Sequence, residues 1–235
     1  MLGILIALAL SWAILHFLFK GNLEALGLTP NGKRLGEFFL GMLISILLAL
    51  GMQYLKWIFT GGSYVLSKEG PWQVAIHGLF LDFKSVFTEE LMFRGVLFYA
   101  LIRKLSLNWA LAISSISFGV YHWFSYGIFG QLIPMIFVGA GTAFMGFVWA
   151  KAFLRTRSMY LPIALHLGWN FFHNTILGQG PWGTGIWTLQ GAEQASPNWI
   201  GLINLFGIPL IVWGLLNFWP SIDDELKDKR FKEGI

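Results

Sequence analysis

The chain has 235 residues, 56% of them hydrophobic and only 12% charged, where a soluble domain carries about 25% charge, so the composition excludes an ordinary soluble core. Its net charge of +4 would suit a nucleic-acid partner in a soluble protein, but the basic residues sit in short loops beside apolar runs, where they set membrane topology and leave nucleic acid out. The absence of Cys removes disulfides, thiol catalysis, cysteine metal sites and thiol-linked lipids together.

The first apolar run covers residues 2–19. No Lys or Arg precedes it and no small-residue cleavage site follows, which predicts an uncleaved membrane span rather than a signal peptide. A polar connector over 20–37 contains the breakers Gly27-Leu28-Thr29-Pro30 and carries Lys20, Lys33 and Arg34. The second span, 38–59, ends in Gly61-Gly62. A third stretch runs over 72–101; at about 1.5 Å per residue it outruns a hydrocarbon core of about 30 Å, which predicts a tilt, a kink or an interfacial start. Asp82 and Lys84 favour the interfacial start. Further spans are expected over 108–124, 132–153, 161–177 and 199–219, followed by a charged tail over 223–233. Gly139, Gly141 and Gly146 in the fifth span suit close helix packing rather than a phosphate loop. The fold class is therefore all-α, a polytopic membrane bundle of about seven helices. It divides into N-terminal helices with a linker (1–71), a central core (72–177), and an exterior loop with the last helix and a charged tail (178–235).

Alternate loops of such a bundle lie on opposite sides. Lys20, Lys33 and Arg34, then Arg103 and Lys104, then Lys151, Arg155 and Arg157, then Lys227, Lys229, Arg230 and Lys232 gather on one side. Lys56 and Lys68 lie on the other, while Lys84 and Arg94 fall within the third stretch. The positive-inside rule places the N-terminus outside and the C-terminus in the cytoplasm, in a multi-pass protein of a prokaryotic plasma membrane.

The informative residues are those a bilayer tolerates poorly. A charge at mid-membrane costs about 2.5 to 3.5 kcal/mol even on the lenient insertion scale, so adjacent Glu89 and Glu90 need a reason. Glu90 and Arg94 are four apart with the acid N-terminal, the favourable order for an ion pair on one helix face. Glu89 points elsewhere and is left as a buried carboxylate without a local cation, suited to act as a general base. His122 follows the turn after this helix by about as many residues as Glu89 precedes it, so antiparallel packing brings the two level. Phe118 shares its face. In the sixth span His166 and Asn170 are four apart and face one way, after Pro162, which suits a first helical turn. His173 and Asn174 continue that face and are read as helix-end hydrogen bonders. His16 and His77 lie near span ends without polar companions.

These residues resemble a family. Glu89-Glu90-Leu91-Met92-Phe93-Arg94 matches EExxxR, Phe118-Gly119-Val120-Tyr121-His122 matches FxxxH, and His166-Leu167-Gly168-Trp169-Asn170 matches HxxxN. Three such motifs occur in this order on separate spans in the CAAX protease and bacteriocin-processing family (CPBP, or Abi) of intramembrane endopeptidases, which includes the type II CAAX prenyl endopeptidases. The resemblance covers about residues 72–177. Outside it, Leu26-Gly27-Leu28 looks like a linker of the group, and His173 lies beyond the family pattern.

The resemblance implies a peptidase in which Glu89 activates water with help from His122, Glu90 and Arg94 hold the helix and the local field, and His166 with Asn170 donates hydrogen bonds to the oxyanion. The substrate would be a peptide or protein at the lipid bilayer, prenylated or not: a prenylated tail, a bacteriocin leader, a signalling peptide and another membrane protein all stay open. No HExxH, GxGD or GxSxG motif is present, and Asp82 is the one aspartate in a long apolar stretch, so other intramembrane protease designs fit poorly. No cofactor is expected. The alternative is zinc held by Glu89, His122 and His166, which would consume Glu89 and leave the water's base to Glu90, the residue paired to Arg94; Asn170 suits an oxyanion better than a metal. Rival functions are a proton-coupled transporter, for which paired repeats and broken helices would be expected, and a catalytically silent immunity or scaffold protein.

Overall fold

The computed structural model describes residues 2–68, 70–183, 185–192 and 194–219. The expected charged tail, with Lys227, Lys229, Arg230 and Lys232, lies outside the described residues. Nine α-helical segments are described: α1 (Leu2–Phe19), α2 (Gly32–Thr60), α3 (Pro71–Glu90), α4 (Leu97–Lys104), α5 (Leu107–Ser125), α6 (Leu132–Thr156), α7 (Tyr160–Asn170), α8 (Asn198–Leu202) and α9 (Ile208–Phe218). Two short strands, β1 (Ser63–Leu66) and β2 (Trp187–Gln190), pair antiparallel with Ser63 opposite Gln190. This ribbon, which the hydrophobic pattern did not reveal, ties the loop after α2 to the loop after α7. The architecture is an all-α bundle of the membrane type.

Among the described residues, four helical stretches are long and apolar enough to cross a membrane: Leu2–Phe19, Gly32–Thr60, Leu132–Thr156 and Asn198–Phe218. The chain is an integral membrane protein. Helices α3, α5 and α7 hold the polar set, which dilutes their apolar character.

Helix α2 begins six residues before the expected span because Asn31 caps it: the Asn31 side chain accepts from the Arg34 amide at 2.9 Å. Lys33, Arg34 and Glu37 therefore belong to the helix and not to the connector. The long third stretch is bent, one of the three outcomes its length allowed. Between α3 and α4 the chain makes a π turn (Leu91–Val96), and the backbone leaves helical geometry at Gly95 (φ −78°, ψ −127°). The Ser114 hydroxyl of α5 donates to the Phe93 carbonyl in this turn at 2.8 Å, fully buried. Two more π turns, Phe171–Ile176 after α7 and Ile203–Gly207 between α8 and α9, interrupt other helices.

Small residues set the helix contacts. Gly41, Ser45 and Ala49, four apart and all buried, line the face of α2 that meets α7, where Ser45 donates to the Leu165 carbonyl at 2.6 Å. In α6, a methyl group at Gly139 would stand 2.4 Å from the Trp123 indole nitrogen, one at Gly141 2.8 Å from Leu205, and one at Gly146 3.0 Å from the Phe118 ring. These glycines are thus packing residues, as read from the sequence. The linker ahead of α2 is seated too. Gly27 adopts φ 64°, and a methyl group there would lie 2.4 Å from the Arg157 carbonyl oxygen. Met159 N donates to Leu26 O and the Ser158 hydroxyl to Gly27 O, both at 3.2 Å, so Leu26-Gly27-Leu28 docks on the turn between α6 and α7.

Candidate active site

A fully buried cation organises the site. Arg94 leaves the π turn with its guanidinium carbon 4.2 Å from the centre of the Phe118 ring and 5.0 Å from that of Trp149. Its Nε lies 3.2 Å from Glu90 Oε2, a contact whose angles make it electrostatic rather than a directed hydrogen bond. Ring faces and one carboxylate together take the place of water around the charge. The i,i+4 pair read from the sequence is present, and both partners are wholly inaccessible to solvent.

Glu90 has a second partner that the spacing did not reveal. Its Oε1 lies 2.9 Å from His166 Nδ1. A carboxylate only accepts, so Nδ1 carries the proton and Nε2 is turned to the other side of the ring. The His166 ring stacks on Trp149, 3.9 Å between centres and 19° between planes. Trp149 thereby fixes both Arg94 and His166; no motif signals that role.

Glu89 points away from this pair. Its Oε1 accepts from the Ser85 hydroxyl at 3.1 Å, and its Oε2 lies 3.9 Å from His166 Nε2. Among the described residues Oε2 is buried with no hydrogen-bond donor. The two adjacent carboxylates each have one hydrogen-bonded oxygen and differ at the other: Glu90 Oε2 is ion-paired to Arg94 at 3.2 Å, whereas Glu89 Oε2 has only the longer 3.9 Å contact with His166. His122 Nδ1 lies 2.8 Å from the Phe118 carbonyl, to which it donates, leaving Nε2 with its lone pair. The Phe118 ring meets the His122 ring edge to face at 4.4 Å.

Glu89, His122, His166 and Asn170 all line one cavity of about 660 Å³, whereas Glu90 and Arg94 lie behind its wall. Aromatic side chains supply much of the remaining lining, including Tyr121, Tyr126, Trp149, Trp169 and Trp182. His173 is not among the lining residues and stacks on Trp169 at 4.5 Å. His16 stacks on Trp12 at 5.1 Å, and His77 is exposed on α3.

Asp82 lies within α3 and is completely buried. It accepts from Asn174 Nδ2 (2.7 Å), the Thr175 hydroxyl (2.7 Å) and Trp182 Nε1 (2.8 Å). Asn174 is a hydrogen bonder near a helix end, as expected, and Asp82 is its partner. The sequence holds no signal for this cluster, whose donors lie 92 to 100 residues from Asp82.

For a metal, the donors to consider are Glu89, His122 and His166. Among the described residues no three His, Asp or Glu side chains converge closely enough to hold an ion. The Glu89–His166 pair alone falls short of the three protein ligands that a catalytic zinc takes.

A family described as Rce1-like, type II CAAX prenyl endopeptidase Rce1-like, matches residues 71–172, the stretch that carries all three motifs. No curated protein and no solved structure matches the chain. Residues 71–172 of this membrane protein are thus similar to the Rce1-like CAAX proteases, the family that its EExxxR, FxxxH and HxxxN motifs also resemble.

Proposed function

We propose that the protein is an intramembrane endopeptidase that hydrolyses a peptide bond of a membrane-associated or lipidated substrate by glutamate-activated water attack. The observation that carries this reading is the contrast between adjacent carboxylates: Glu90 is held by Arg94 and His166, while Glu89 presents a buried, unengaged oxygen beside His166 Nε2 in the cavity. General-base catalysis needs such an oxygen.

In the proposed reaction Glu89 Oε2 takes a proton from a water positioned with help from His122 Nε2. The water oxygen bonds to the scissile carbonyl carbon, whose oxygen becomes an oxyanion. The Asn170 side-chain amide donates to that oxyanion, and His166 Nε2 donates to it in the imidazolium form, whose charge Glu90 faces across Nδ1. Collapse breaks the carbon–nitrogen bond, and the proton on Glu89 passes to the leaving amine. The products are a carboxylic acid and an amine, which become a carboxylate and an ammonium as the acid proton passes to the amine, and Glu89 is regenerated.

No metal enters this scheme. Glu89 serves as base rather than ligand, and the donor set falls short of a three-ligand site. The test is cleavage of a membrane-inserted peptide by purified wild-type protein and by Glu89→Gln, run alongside thermal unfolding in detergent. The amide keeps the shape and removes the base, so a folded, inactive variant is expected; near-wild-type turnover by Glu89→Gln would overturn the reading.

A further inference from the structure

The cavity has a side. The C-terminal ends of α1, α4, α6 and α9 meet at one end of the bundle. The Phe19 ring packs on the Tyr99 ring at 5.5 Å, Leu26 and Gly27 dock on the turn at Ser158 and Met159, and Arg155 donates to the Asn217 carbonyl at 2.7 Å. Among the described residues this end carries Lys20, Lys33, Arg34, Arg103, Lys104, Lys151, Arg155 and Arg157. The opposite end holds the β1–β2 ribbon, the Gln194 amide donating to Thr60 O, and the loop after α5, with Lys56 and Lys68 as its basic residues among those described. Lys84 lies within α3.

The cavity lies toward the second end. Its lining rises from buried Glu89, His122 and His166 to Ser125 and Tyr126 at the end of α5, with Tyr126 60% exposed, and to residues 179–182 after α7. Asn204 and Leu205, close to the start of the α8–α9 rod, close the same half. None of the basic residues at the first end is among the lining residues.

Basic loops stay in the cytoplasm because they resist translocation. We propose that the cavity opens on the translocated face of the membrane, and that the substrates are peptide segments of exported or membrane-anchored proteins presented there, not cytoplasmic C-terminal tails. The substrate half of this inference rests on the peptidase reading; the orientation half does not. An aromatic lining with few charged groups fits extended segments bearing apolar side chains.

The chain has no Cys, so single cysteines report sidedness without background. Phe129→Cys, in the loop after α5, and Leu105→Cys, in the turn between α4 and α5, are both at exposed positions away from the cavity lining. A membrane-impermeant maleimide applied to intact bacterial cells should label Phe129→Cys and leave Leu105→Cys unmodified, with the pattern reversed in inverted vesicles. The opposite pattern overturns the orientation whatever the protein's activity. N-terminal proteomics of membranes carrying wild-type or Glu89→Gln protein then addresses the substrate. Glu89-dependent new termini should map to translocated segments. If they map to cytoplasmic tails, the substrate inference fails and the peptidase reading stands. If none depends on Glu89, the peptidase reading fails and the labelling alone decides the orientation.

Discussion

His166 stands between two carboxylates, with Nδ1 2.9 Å from Glu90 and Nε2 3.9 Å from Glu89. The ring couples an engaged acid to an unengaged one, and its tautomer is dictated by the first. Glu90→Gln should consequently act at a distance from the cavity. A Gln side chain oriented to donate would oppose the Nδ1–H, and the variant is expected to slow the chemical step more than it raises KM. Single-turnover and steady-state kinetics together check this; an effect on KM alone would show that Glu90 does not act through His166.

Loss of the base at Glu89 should cost about 10²- to 10⁴-fold in kcat, the usual contribution of a positioned proton acceptor. Asn170→Ala should cost about 10²- to 10³-fold in kcat, as for other oxyanion donors, with little change in KM. Both are read by following cleavage of the same membrane-inserted peptide. A rise in KM with kcat intact at Asn170 would recast it as a substrate-binding residue.

Removing Arg94 leaves Glu90 buried without its cation. Arg94→Ala should destabilise the protein by about 3 to 5 kcal/mol and lower its yield. Arg94→Lys keeps a charge but loses the planar contact with Phe118 and Trp149, so an intermediate melting temperature is expected. Equal melting temperatures for wild type and Arg94→Ala in detergent would contradict a buried pair.

Asp82 holds part of the cavity wall. Asp82→Ala leaves the donors of Asn174, Thr175 and Trp182 without their acceptor, each at a cost of about 1 to 3 kcal/mol where it stays buried. Because Asn174 and Trp182 line the cavity, KM should rise more than kcat falls. Asp82→Asn, which keeps one accepting oxygen, should lie between. Unchanged kinetics in a stably folded Asp82→Ala would remove any role for this wall in substrate binding.

Exhaustive chelation tests the metal-free scheme directly. Activity should survive it, and purified protein should contain no stoichiometric metal. Activity lost to chelator and restored by zinc would make Glu89 and both histidines ligands.

Much of the bundle could be read in advance because lipid imposes a simple rule: long apolar runs become helices, and a polar residue among them needs a purpose. The helix over residues 2–19 follows from length and hydropathy alone, whereas the length of the third stretch left a tilt, a kink or an interfacial start open and packing decided on the bend. Helix α2 started early because one capping side chain, Asn31, outweighed the polar character of residues 32–37. The ribbon of β1 and β2 escaped notice because strands of four residues have no periodicity to detect.

Glu89 stood out as a second carboxylate without a local cation, His122 by its level across the turn, and His166 with Asn170 by a spacing of four, since residues four apart share a helix face wherever the helix lies. Spacing also paired Glu90 with Arg94. It could not reveal that His166, 76 residues away, is Glu90's second partner, that Trp149 stacks on His166, or that Asp82 is a buried acceptor. Those contacts run between helices, and their existence depends on how each helix is rotated and how far it slides along its neighbours. Local sequence carries the periodicity of a helix but not its rotation against another, so the partners of the polar groups, and the end toward which their cavity lies, were decided by tertiary packing.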